Sequence, residues 1–242
     1  MMISGRDIEF LAGHPRGVLH VGAHEGEEAL EYSKRGWGPV TWVEMLPEKA
    51  ALLRAKFTND PSNTVIEAAC WSSETDRSIH RASNNGQSSS LLAPLEHLNL
   101  HPEVEFSGSL ETVRTKRLDH LLSADASFGF VSVDTQGAEI EVLKGLGVLL
   151  DQVQCALVEV NEVEHYSGCP RVRDVDAFFA ERGFVRALRV MNEHCGWGDA
   201  LYIRVSDRPD EVVRRARRRS RLVHTLKRLA RPKDVPPWDN WS

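Results

Sequence analysis

The sequence predicts an α/β fold: an open, mostly parallel sheet covered by helices on both faces. Three observations carry that expectation. Short apolar runs of strand length alternate with segments of helical periodicity from residue 18 onward. The first run, Val18, Leu19 and Val21, gives way at Gly22 and Gly26 to the opening of a helix. The second, Val40–Glu44, ends in an acid 18 residues after Gly26. Together they make a nucleotide-type cradle. Glycines let a ligand approach the backbone, the helix start offers unpaired N–H groups, and an acid at the next strand tip accepts from ribose hydroxyls. The G-x-x-x-G spacing by itself equally suits an ordinary strand–helix–strand unit with a solvated Glu44.

In chain order, residues 1–14 form a short lead-in helix around Ile8, Phe10 and Leu11. The helix after the glycine turn covers Glu27–Arg35 and stops at Gly36. Pro47 opens the next one, before Glu48–Phe57. Asn63–Trp71 is the third strand. Ser72–Pro102 is irregular and rich in Ser, Asn and Gly, and a loop of that length in a compact domain is usually functional or disordered. Glu111–Lys116 alternates like a strand and Leu118–Leu122 starts a short helix. Phe128–Asp134 is a buried strand, followed by a helix from near Gly137 to about Gly145 with Ile140, Val142 and Leu143 on its apolar face. Cys155–Asn161 is another buried strand, tipped by Glu159 and Asn161. Val172–Arg182 is a helix ended by Gly183, and Val185–Val190 with Ala200–Val205 close the sheet.

Composition narrows the function. The chain of 242 residues is 41% apolar, ordinary for one folded domain, and no run approaches the roughly 18 apolar residues of a membrane span. Its N-terminus lacks the layout of a secretory signal, and Cys70, Cys155, Cys169 and Cys195 have no paired spacing. The expectation is a soluble, cytoplasmic protein without structural zinc or a disulfide framework. Net charge hides an asymmetry: residues 205–242 carry +6 and the rest −11. An acidic body is poorly suited to tracking a nucleic-acid backbone. Residues 1–205 form the main domain and 206–242 a basic, helical C-terminal tail. That tail suits a membrane surface or an acidic partner, or docks an apolar stripe on the body. Its last tryptophans, Trp238 and Trp241, could anchor a second subunit in a homo-oligomer.

The order of Val21-Gly22-Ala23-His24-Glu25-Gly26, Val43-Glu44, Ala68-Ala69, Ser89-Ser90-Leu91, Arg117-Leu118-Asp119 and Val133-Asp134-Thr135-Gln136-Gly137-Ala138-Glu139 resembles the FkbM family of S-adenosylmethionine-dependent methyltransferases. The resemblance spans roughly residues 17–204, and its most specific piece is D-x-x-G-A-E. It implies a class I methyltransferase (Rossmann-like) fold with an antiparallel last strand. It also implies an O-methyltransferase acting on a hydroxyl of a small molecule, sugar or secondary metabolite. Position by position it gives Gly22, Ala23, His24 and Gly26 to the cofactor loop and Glu44 to the ribose. Met45 follows where the family often has proline. Ala69 stands near the adenine, and Ser72 stands where the family commonly has a polar or acidic stretch.

Methyl transfer to oxygen needs in-line geometry and removal of the acceptor's proton by a carboxylate or imidazole. Ligands of open α/β sheets lie off the carboxyl ends of the strands. Asp134 is there, as base or as anchor for the sulfonium end of the cofactor, unless it caps the following helix. Glu159, Asn161 and His165 follow the next strand. They bind the acceptor or, with Asp134, hold a divalent metal; the lack of tight ligand spacing favours the metal-free version. Glu139 falls in the first turn of its helix, where its charge suits the dipole. His20 reads as a packed core residue, and His80, His97, His101 and His120 show no pattern. His194 sits in a turn that overhangs the acceptor pocket or is plain surface, and Cys195 has no activating partner. The alternative to an enzyme is a non-catalytic cofactor-binding module on the same fold.

Overall fold

The computed structural model describes residues 1–205 apart from 109–110, 124 and 193. The basic tail expected over 206–242 lies outside the described residues. In chain order the elements are α1 (Gly5–Ala12), β1 (Val18–Val21), α2 (Ala29–Arg35), β2 (Val40–Glu44), α3 (Pro47–Lys56), β3 (Asn63–Glu67), β4 (Asp76–Ile79), α4 (Glu96–Leu100), β5 (Glu111–Arg114), α5 (Leu118–Leu121), β6 (Phe130–Val133), α6 (Glu139–Gly145), β7 (Cys155–Asn161), α7 (Val172–Ala180), β8 (Phe184–Met191) and β9 (Trp197–Arg204).

The described residues form a seven-stranded sheet in the order β3-β2-β1-β6-β7-β9-β8. The pairs from β3 to β7 are parallel, and β9 runs antiparallel between β7 and β8. Alternation along each strand divides the core. Leu19, Val21, Val131 and Val133 pack with Val142 and Leu143 of α6 and Val175 and Phe179 of α7. Val18, Trp42, Phe130 and Leu157 pack on the other face with Ile8 of α1, Tyr32 of α2 and Leu53 of α3. Both faces are covered, as a parallel sheet requires. The chain reverses at β1–β6, so the turns after these strands border a crevice at the sheet's carboxyl edge.

Several boundaries differ from the sequence expectation. The third strand stops at Glu67 because its ladder partner β2 ends at Glu44, the residue opposite. The helix after the glycine turn begins only at Ala29, and Gly36 ends it with φ 66°. The stretch 72–102, read as irregular, contains β4 and α4, and β4 pairs antiparallel with β5 in a separate ribbon. Asp76–Ile79 has no apolar alternation, so its partner rather than its own composition makes it a strand.

Candidate active site

The turn after β1 is held by the acid that ends β2. Glu44 Oε2 accepts from the His24 backbone N–H at 2.7 Å and Oε1 from that of Leu46 at 2.8 Å. The carboxylate thereby joins two turns and still has lone pairs free for hydroxyl donors. Burial raises its pKa, while the two N–H groups pull the other way. Gly22 takes φ 82°, and a Cβ there would lie 1.7 Å from the Asp134 carbonyl oxygen. Only glycine lets the turns after β1 and β6 meet.

Between the ends of β1, β2, β3 and β6 lies a narrow, partly open space of about 60 Å³. Gly22, His24, Glu44 and Met45 line it, with Ala68, Cys70, Leu91 and Ala138 as apolar wall. A strap, residues 84–89, crosses it. His24 Nε2 bonds the Asn85 carbonyl at 3.0 Å, and Asn85 Nδ2 donates to Glu25, itself paired with Lys49. Burial opposes charge on His24, but the Glu27 carboxylate at 2.6 Å and the Asn85 carbonyl outweigh it and raise its pKa. An apolar slot with a carboxylate on one side suits the flat base and ribose of a nucleoside.

At Gly22, Asp134 and Gln136 the slot meets a chamber of about 670 Å³, within the range of small-molecule sites. Asp134 lies open to this chamber. Glu159 comes from the middle of β7, and Gln136 Nε2 spans both acids, donating to Asp134 Oδ1 at 2.8 Å and Glu159 Oε2 at 3.3 Å. Withdrawal from bulk water pushes the pKa of Asp134 up to about 6 against the Gln136 hydrogen bond, with Asp199 and Glu28 adding to the rise. Glu159 is raised well above the carboxylate range by burial and then by Asp134 and Glu139. His165, Asn161 and Trp197 also border the chamber.

The expected site residues separate into two groups. Gly22, His24, Glu44, Met45 and Asp134 line the slot, and Asp134, Glu159, Asn161 and His165 line the chamber. Four are placed elsewhere. Ala23 packs in the core beside Tyr32 and Trp42, and a Cβ on Gly26 would meet Leu53 of α3 rather than a ligand. Ala69 turns into the core while its neighbours Ala68 and Cys70 face the slot. The Ser72 hydroxyl is bound by Glu141 of α6. Nor does Asp134 cap α6, whose N-cap is Ala138 with no side-chain bond. Instead Glu139, completely buried, gathers the turn: its Oε1 accepts from Thr135 N, Thr135 Oγ1 and Gly137 N at 3.1, 3.3 and 2.9 Å.

Sequence reasoning missed His97 and His101, which meet His165 at the chamber. The ring centroids of His97 lie 4.9 Å from His101 and 6.5 Å from His165. Their i, i+4 spacing was the available signal. Burial, then the neighbouring imidazoles, holds His97 down to about 4, so it is neutral near pH 7. Among the described residues no group of three or more His, Cys, Asp or Glu side chains is placed to hold a metal ion.

The family model described as the methyltransferase FkbM domain matches residues 20–186. The comparison with curated proteins gave no match. Among solved structures, a ribosomal protein L11 methylase from Lactobacillus delbrueckii subsp. bulgaricus is 12% identical, covering 78% of this chain and 70% of its own, with a TM-score of 0.44. Magnesium protoporphyrin IX methyltransferase from Synechocystis, solved with bound S-adenosylmethionine, is 9% identical over 78% of this chain and 69% of its own, at 0.45.

Proposed function

The chain belongs to the FkbM methyltransferase family, and from that premise we propose that it transfers the methyl group of S-adenosylmethionine to a hydroxyl of a small polar acceptor. The observation that carries the reading is the pair of carboxyl groups, Asp134 and Glu159, at the junction of slot and chamber. Cofactor chemistry fits the slot. Glu44 has free lone pairs for a ribose diol, and Met45, Ala68 and Leu91 supply apolar faces for adenine. The bound cofactor supplies an electrophilic methyl group on a cationic sulfur.

The chain's residues do the rest. The chamber receives the acceptor, and its walls of Asn84, Gln87, His97, Asn161, His165 and Tyr166 favour a polyhydroxylated, sugar-like molecule over a flat apolar one. Asp134, with a pKa near 6, is ionised at neutral pH and within the range of an effective base. In a transfer that breaks the carbon–sulfur bond and leaves the cofactor as its neutral thioether, the proton of the acceptor hydroxyl would pass to the Asp134 carboxylate. The acidic body leaves a nucleic-acid acceptor disfavoured.

The test combines calorimetry with S-adenosylhomocysteine and transfer of a labelled methyl group to a panel of glycosides and polyols. Asp134→Asn is then expected to keep the fold and lose turnover on the order of 10²-fold or more. Binding without transfer to any acceptor would instead make the protein a cofactor-binding module. Full activity in a folded Asp134→Asn would remove Asp134 from the chemistry.

A further inference from the structure

Gln136 stands at φ 53°, in the left-handed region that a residue with a Cβ seldom adopts. Non-glycine residues held there mark places where the surroundings impose the conformation. Every polar group of Gln136 beyond its N–H is used. Its carbonyl accepts from Ser90 Oγ at 2.7 Å and its Oε1 from the Tyr166 hydroxyl at 2.8 Å. The two hydrogens on Nε2 go to Asp134 and Glu159.

The acids and Tyr166 together set the sense of that amide. The Tyr166 hydroxyl has one hydrogen to share between Gln136 Oε1 at 2.8 Å and the Ser88 carbonyl at 2.9 Å, and burial raises its pKa, so it stays protonated. With the nitrogen toward the acids, the amide oxygen stands at the end where that hydrogen can reach it. A flipped amide would set its oxygen against two carboxyl groups.

We propose that Gln136 is a positioning residue, whose amide, oriented by Tyr166 and by the acids themselves, holds Asp134 and Glu159 together as one unit carrying a single proton and a single negative charge. Two carboxylates on neighbouring strands repel, and without a shared proton one of them would leave the chamber floor. The shorter contact favours the charge on Asp134, and the more strongly raised pKa of Glu159 leaves the proton there. Other charges face the pair from the surrounding elements. Glu28 before α2, Glu139 of α6 and Asp199 of β9 disfavour ionisation, while the Met1 ammonium near Asp134 favours it. His20, His24 and His165 also border the chamber. In the reaction the arrangement presents one lone pair of fixed direction to the acceptor hydroxyl. That last step rests on the methyl-transfer reading, whereas the pairing itself does not.

The experiment is therefore done on the cofactor-free protein. Protonated carboxyl groups are followed by infrared absorption through a pH titration, with Asp134→Asn and Glu159→Gln assigning the bands. The wild type is expected to lose its two protons in separate steps, as a coupled pair does. Gln136→Gly removes the amide and also relieves the left-handed backbone. It should melt no lower than the wild type by more than a few degrees, and its lower step should move up by about one pH unit as the charged form loses a donor. Tyr166→Phe should move the same step in the same direction by a smaller amount. A lower step unmoved in both variants overturns the proposal, and if Gln136→Gly does not fold, an unmoved step in Tyr166→Phe alone overturns it. Failure of the wild type to bind S-adenosylhomocysteine would sink the methyl-transfer reading, and the titration would still decide the pairing by itself.

Discussion

Replacing Glu139 by glutamine should change how stability depends on pH. The Glu139 carboxyl is fully buried, with three donors on Oε1 and no partner for Oε2 among the described residues. Burial, reinforced by Asp134, pushes its pKa up to about 7 from 4.5, against the pull of the backbone N–H groups. The folded protein therefore keeps a proton that the unfolded chain releases. Stability is fully present below 4.5 and declines as pH climbs to about 7, beyond which the loss is complete. A displacement of this size corresponds to about 3 kcal/mol.

Glu139→Gln removes the titration. The amide oxygen can take the place of Oε1, while its NH₂ group lies where Oε2 has no partner and costs about 1–3 kcal/mol at every pH. The variant should thus be the less stable protein near pH 5 and match or exceed the wild type by about pH 8. Urea unfolding of both proteins across that range, compared at each pH, gives the difference curve directly. Parallel stability curves would show that Glu139 is ionised in the folded state, and would refute the account of this turn.

Two further substitutions probe the cofactor side. Glu44→Ala should weaken S-adenosylhomocysteine binding by roughly 1.5–3 kcal/mol, the loss expected for hydrogen bonds to a charged group; unchanged calorimetric affinity would remove Glu44 from the ribose. Gly22→Ala would set a methyl against the Asp134 carbonyl, and should lower stability in a thermal or urea melt by on the order of 3–5 kcal/mol. A near-native melt would mean that the turns after β1 and β6 part freely.

The sheet, and half of the residues that line the candidate site, were legible because their signals are local. A glycine after an apolar run, an acid at a strand tip and Asp134 at the end of β6 each announce themselves within a few residues. Ala69 and Ser72, placed near the adenine by the resemblance, do not line the slot. The third strand was read through to Trp71, whereas β2 offers no ladder past Glu44, so the chain turns after Glu67 and its alternation restarts. His97 could not be assigned, since it finds His165 through the fold rather than along the chain. Glu139 carried the opposite message to its sequence position. In the first turn of a helix an acid reads as a charge suited to the dipole, yet here it is fully buried and accepts from the turn before its helix. Gln136 sits at a motif position open to any residue, and its two acids belong to different strands.

The antiparallel strand β9 has a consequence for change over time. It places Trp197 and Asp199 at the same sheet edge as Glu159, which pairs with Asp199 across the β7–β9 ladder. Trp197, at the start of β9, therefore stands at the far wall of the chamber, while the slot is built from turns on the opposite half of the sheet. Substitutions at Trp197 can redraw that wall without disturbing a single slot residue. Such a chain can drift toward a new acceptor while what it grips on the other side stays constant, and paralogues differing mainly at the start of β9 would be the visible trace.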